Sequence, residues 1–127
     1  MNRCSNSRIS LGLWGEEIAS SLLCSLGWEV LERNWRPRPG CSTVRGEIDI
    51  IAVQGEQFVV CEVKTRSSLR FGHPFEAVDV SKAARLGRLA GAWCAATGTD
   101  RERVRVDVIA IVGDQRRFSV EHLVGVL

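Results

Sequence analysis

Two consecutive segments constrain this chain more than any other feature: Glu47–Val53 (EIDIIAV) and Gln57–Lys64 (QFVVCEVK), separated only by Gln54, Gly55 and Glu56. Both are rich in β-branched and aromatic residues, and Gly55 suits the first central position of a two-residue type II′ turn with Glu56. The pair therefore reads as a β-hairpin. With that turn, Gln54 pairs with Gln57 and, counting outward, Asp49 lies across from Glu62. A four-residue loop from Gln54 to Gln57 keeps this register, whereas a three-residue loop does not.

Side chains alternate along a strand, so Glu47, Asp49 and Ile51 are expected on one face and Ile48, Ile50 and Ala52 on the other. Glu62 and Lys64 share a face in the next strand, opposite Val59, Cys61 and Val63, which are expected to be buried with Ile50. Two carboxylates facing each other across a strand pair repel unless something compensates them. A divalent cation is one such compensation, and Mg²⁺ (or Mn²⁺) commonly takes one or two carboxylates with waters and phosphate oxygens. Lys64 would then orient or deprotonate the attacking water, or neutralise charge on a scissile phosphate. The plainer alternative is a Glu–Lys surface pair on a half-exposed sheet.

The rest of the chain supplies an α/β frame. Leu11, Trp14, Ile18, Leu22 and Leu26 recur at helical spacing, with Ala19 and Leu23 widening the stripe and Gly27 as a stop. A strand follows from Trp28 toward Trp35, broken by Pro37 and Pro39. A second helix is expected from Glu76 to about Ala96, ending near Gly98. Arg103–Val112 (RVRVDVIAIV) reads as a strand, with a short element from Phe118 to Leu123 after it. A strand, helix and strand in sequence require a right-handed parallel crossover, so the sheet is mixed. Residues 1–10 are polar and aperiodic and are expected to form a loose tail before one domain spanning 11–127. At 127 residues a single core is large enough without disulfide or metal staples.

Composition narrows the class of partner. Glu16 and Glu17 interrupt the first apolar stretch, which excludes a membrane span or signal core there and points to a cytoplasmic protein. Cys4, Cys24, Cys41, Cys61 and Cys94 are odd in number and contain no Cys-x-x-Cys pair. They are read as free thiols, three of them core fillers. The net charge of +2 says little by itself. Its placement says more, because the only charges between Glu32 and Glu47 are Arg33, Arg36, Arg38 and Arg45, and from Lys64 to Arg88 six basic residues face two acidic ones. Arg36, Arg66, Lys82 and Arg85 are the candidate nucleic-acid contacts, with solvated basic surface as the alternative. Asp107 is expected to pair structurally with Arg105, and His73 and His122 have no second ligand at metal spacing. Trp35 is either a base-stacking residue or a partly buried edge tryptophan.

The stretches GEIDIIA (Gly46–Ala52), CEVKTR (Cys61–Arg66), FGHPFEAV (Phe71–Val78), WGEEIA in the first helix and RVDVIAI in the last long strand resemble the bacterial YraN family. Its members are uncharacterised proteins grouped with restriction-endonuclease-like nucleases and similar to archaeal Holliday-junction resolvases. The resemblance runs from about Trp14 to the C-terminus. It implies a restriction-endonuclease-like core in the order α-β-β-β-α-β, with Asp49 and Glu62 as metal ligands and Lys64 as the catalytic lysine. It also implicates Glu16, which lies at the edge of the buried stripe beside Ala19 and Leu23, whereas Glu17 points away. The chain departs from the family in a longer segment between Arg36 and Gly46, with two prolines and Cys41. The expected function is a Mg-dependent endonuclease acting on DNA, structured or branched, with homodimerisation as a further expectation. The alternative is a non-catalytic nucleic-acid-binding or interaction module on the same fold.

Overall fold

The computed structural model describes residues 7–70 and 72–127. The elements run α1 (Ser7–Ser25), β1 (Glu29–Trp35), β2 (Ile48–Gln54), β3 (Gln57–Arg66), a 3-10 turn (Pro74–Ala77), α2 (Val80–Thr97), a second 3-10 turn (Arg101–Arg103), β4 (Val104–Gly113) and β5 (Phe118–Leu123). The strands form one five-stranded sheet in the order β1-β2-β3-β4-β5. Neighbours are antiparallel except β3 and β4, which are parallel as the intervening helix requires. The chain is thus α/β with a mixed sheet between two helices.

The β2–β3 hairpin pairs Gln54 with Gln57, Ala52 with Val59 and Ile50 with Cys61. Gly55 has φ +60°, which the first central position of a type II′ turn demands. The ladder ends at the Ile50–Cys61 pair, so the expected Asp49–Glu62 pair is not part of it, and Asp49 instead meets β3 through its side chain on the Val63 N–H.

Both faces of the sheet are covered. Leu86, Leu89, Ala90 and Trp93 of α2 pack with Ile48, Ile51, Val60, Val104, Val106 and Val108. On the other face, Ala19 and Leu23 of α1 pack with Ile50, Ala52, Val59, Cys61, Ile109 and Ile111. Ile50, Val59 and Cys61 are buried as expected, and Val63 is half-buried. The face carrying Glu62 and Lys64 is not a half-exposed one, however, since Val60 on it is fully buried under α2. Burial contributes about 25 cal/mol per Å² of apolar area, so each helix stabilises the strands from its own side.

Several boundaries differ from those the periodicity implies. Helix α1 begins at Ser7, so residues 7–10 belong to it and not to a loose tail, while residues 1–6, with Cys4, lie outside the described residues. Its buried line is Gly15, Ala19 and Leu23, one position round from the expected stripe, and Leu26 is exposed. Helix α2 starts at Val80 rather than Glu76, because Asp79 caps it by accepting from the Lys82 N–H and Glu76 sits in the preceding 3-10 turn. Phe71 of the FGHPFEAV stretch lies outside the described residues. Cys61 and Cys94 are buried free thiols, but Cys24 and Cys41 are exposed, so two of these four fill the core. Among the described residues no helix is long and apolar enough to cross a membrane.

Candidate active site

The carboxylate site forms where β2 begins and the far end of β3 leaves the hairpin. Asp49 accepts a hydrogen bond from the Val63 backbone N–H at 2.8 Å, so its side chain binds β3 directly just past the last ladder pair. Glu62 is 8% exposed. Its Oε1 lies 3.2 Å from Lys64 Nζ and 3.7 Å from an Arg85 guanidinium nitrogen of α2, while Oε2 is buried without a hydrogen-bond partner. Burial, then the Glu62 charge, push the Asp49 carboxyl up to about 7, against the opposing Val63 hydrogen bond.

Helix α1 approaches from the other face. A Cβ on Gly15 would lie 2.0 Å from Thr65 Oγ1, so only glycine lets the helix backbone rest on β3 here. The next residue, Glu16, thereby reaches the cleft, which has a volume of about 630 Å³ and is also lined by Asp49, Glu62, Lys64, Arg66 and Ser67. Glu16 is largely buried and Glu17 is exposed, the orientation expected of them. Burial raises the Glu16 carboxyl above its ordinary range; Arg33 opposes the shift and Glu47 adds to it.

Glu16, Asp49, Glu62 and Lys64 are therefore brought to one cleft. The basic candidates are spread more widely, and of them Arg66 lines the cleft. Arg66 is at its mouth, donating to the Thr65 carbonyl, and Arg85 stands behind Glu62. Lys82 is exposed one turn earlier on α2. Arg36 is tied at 2.8 Å to Glu47, which closes the two ends of the long 36–46 loop onto each other. Trp35 is a half-buried edge residue against the α2-side core. Two residues that sequence reasoning passed over bear on the site. Gly15 carries a signal, a glycine inside a helix where it disfavours the fold by about 1 kcal/mol relative to alanine. Asn34 carries another, a strand-averse residue inside β1.

The other titratable groups belong to the scaffold. Asp107 is fully buried and receives Arg105 through both carboxylate oxygens at 2.9 and 3.0 Å, His122 at 2.7 Å and the Gly125 N–H at 3.0 Å. The expected Arg105–Asp107 pair is thus part of a larger clasp that fastens β5 and the C-terminal segment to β4. His73 bonds Glu121 at 2.7 Å and accepts from the Phe75 N–H, capping the 3-10 turn. Among the described residues no group of three or more His, Cys, Asp or Glu is gathered closely enough to hold a metal ion.

Comparison with known proteins places the chain. The model of uncharacterised protein family UPF0102 matches residues 15–111. A UPF0102 protein of Arthrobacter sp. (strain FB24) is 52% identical over 91% of this chain and 94% of its own length. One from Pseudarthrobacter chlorophenolicus is 50% identical over 91% and 84%, and one from Rhodococcus jostii 41% identical over 91% and 93%. With the family's model covering most of the chain from Gly15 through β4, and relatives aligned over nearly their whole length, this protein belongs to the uncharacterised family UPF0102.

Proposed function

We propose that this protein is a metal-dependent nuclease of restriction-endonuclease-like architecture that hydrolyses phosphodiester bonds in DNA, with structured or branched DNA as its target class. The observation that carries the reading is the pair of carboxylates, Asp49 and Glu62, lining one cleft. Asp49 is half-buried and Glu62 buried, Asp49 is raised to about 7, and Glu62 Oε2 has no hydrogen-bond partner among the described residues. Such a pair lacks positive charge on one side. Lys64 and Arg85 approach Glu62 Oε1 only.

A divalent cation fits this donor set. Asp49 and Glu62 would hold it, and with no third clustered side-chain ligand among the described residues, waters and phosphate oxygens would complete its shell, the habit of Mg²⁺ and Mn²⁺. When bound, the ion supplies Lewis-acid polarisation of the phosphodiester and a more acidic water. Lys64 places an ammonium beside the pair, where it stabilises charge developing on the phosphate and orients the incoming water. Glu16 offers a further acceptor from the α1 side, and Arg66 and Ser67 at the mouth meet backbone phosphates flanking the reacting one. The YraN resemblance supports the same assignment. Branched DNA rests on likeness to the resolvases, and paired cuts there would require two copies of the chain.

The test is cleavage of duplex, single-stranded and four-way-junction DNA with Mg²⁺, with Mn²⁺ and with chelator. Metal-dependent cleavage is expected. Binding without cleavage at any metal concentration would instead mark a nucleic-acid-binding module.

A further inference from the structure

Asn34 has a left-handed backbone, φ +57°, and is the non-glycine residue with positive φ among the described residues. Asparagine tolerates this conformation better than most residues, but it is rarely found inside a strand. The pairs Arg33–Ile50 and Trp35–Ile48 bracket Asn34 and Asp49, so the irregular residue sits in the row of the carboxylate pair. It resets the alternation of β1. Arg33 reaches Glu16 and Glu17 of α1, whereas Trp35, two residues on, packs on the α2 side.

The side chain has a second consequence. Its amide faces two carboxylate oxygens, Glu16 Oε1 at 3.0 Å and Glu47 Oε1 at 2.8 Å, so the NH₂ end must point to them and its two hydrogens serve both. Glu47 is held from behind by Arg36 through its other oxygen. Among the described residues Glu16 has, besides this bond, a longer Arg33 contact at 3.7 Å. A chain of contacts thus runs from Arg36 through Glu47 and Asn34 to the glutamate that lines the cleft.

We infer that Asn34 is a positioning residue that holds the Glu16 carboxylate in the cleft beside Asp49 by bridging it to Glu47. The inference rests on the nuclease reading of that cleft and adds to it a supporting group on β1. A partner that orients a group near a metal site commonly matters by 10- to 100-fold in activity or metal affinity. Its loss should act on the chemical step, because Asn34 itself need not touch DNA.

Two variants separate this role from a structural one. Asn34→Gly keeps the left-handed backbone and deletes the amide, and Asn34→Asp keeps the shape but turns the donor into a third carboxylate. Both are expected to fold, with circular dichroism and thermal midpoints close to the unmodified protein. For Asn34→Gly, kcat should fall about tenfold with KM for DNA within about twofold, and Mn²⁺ affinity measured by calorimetry without DNA should weaken severalfold. Asn34→Asp should lower kcat further. A protein that cleaves DNA equally well, and binds Mn²⁺ equally tightly, after Asn34→Gly would overturn the positioning role and leave the nuclease reading standing. An unmodified protein that neither cleaves nor binds Mn²⁺ would overturn both.

Discussion

Gly15 of α1 lies against Thr65 of β3 so closely that a single added carbon on Gly15 would fall 2.0 Å from Thr65 Oγ1 and 3.0 Å from Thr65 Cβ. Helix and strand meet backbone to side chain there, and that contact sets how far Glu16 enters the cleft. Gly15→Ala must push α1 off the sheet or force Thr65 from its rotamer. Overpacking of this kind costs about 1–3 kcal/mol. Denaturant melts should show that loss, and Thr65→Ala should recover part of it in the double variant; additive losses would mean that the two residues do not press on each other.

The raised Asp49 carboxyl makes a statement about pH. Its folded value, about 7, exceeds the ordinary 3.8, so the folded protein binds this proton more tightly than the unfolded chain does. The associated stability is complete below about pH 4 and is lost as pH rises to about 7, on the order of 4 kcal/mol across the window. Asp49→Asn keeps an acceptor for the Val63 N–H and should flatten that part of the stability–pH curve. Mg²⁺ should raise the melting temperature more at pH 8 than at pH 5, since a proton and the cation compete for the same carboxylates. A curve unchanged by Asp49→Asn would contradict the assignment.

Asp107 should behave in the opposite way. Its four bonds from Arg105, His122 and Gly125 make it a structural carboxylate. Asp107→Ala leaves Arg105 and His122 without their acceptor and should cost about 3–5 kcal/mol. Mn²⁺ affinity of whatever remains folded should not change. Loss of cation binding with stability intact would reverse the roles given to Asp107 and Asp49.

Much of this arrangement was legible before any coordinates. The Gly55 turn and the strand-forming residues on either side set the hairpin register as far as Ile50 and Cys61. The parallel β3–β4 pair followed from the helix between them. Periodicity could not see the left-handed Asn34, and in the same row the faces of β2 part company: Ile48 joins Ile51 under α2, not Ile50 under α1. Nor did it find the start of α2, because apolar spacing runs back to Glu76 while the Asp79 cap decides the boundary. The buried line of α1 lies one residue round from its apolar stripe for a steric reason. Small side chains at Gly15 and Ala19 allow the closest approach, and the larger Trp14 and Ile18 stand at its edges. The three-sided clasp on Asp107 depends on residues far apart in the chain, beyond what spacing reports.

If Lys82, Arg85 and Arg36 contact backbone phosphates, affinity for DNA should fall steeply with salt and vary little with sequence. Lys82→Ala should weaken binding about equally for all sequences and lower the log–log salt slope by about 1. Arg36→Ala should do less, because Arg36 is already engaged with Glu47. Equal affinity at low and moderate salt would remove the phosphate-contact role from this surface.

The most direct test of the central claim is single-turnover cleavage of DNA by the Asp49→Ala, Glu62→Ala and Lys64→Ala proteins beside the unmodified one, in Mg²⁺ and in Mn²⁺. The nuclease reading of the Asp49–Glu62 cleft predicts that each carboxylate variant folds, loses cation binding and cleaves at background. Lys64→Ala should still bind the cation and lose the chemical step by about a hundredfold or more. Cleavage that survives removal of both carboxylates would show that Asp49 and Glu62 are a charge cluster of the scaffold, not a catalytic site.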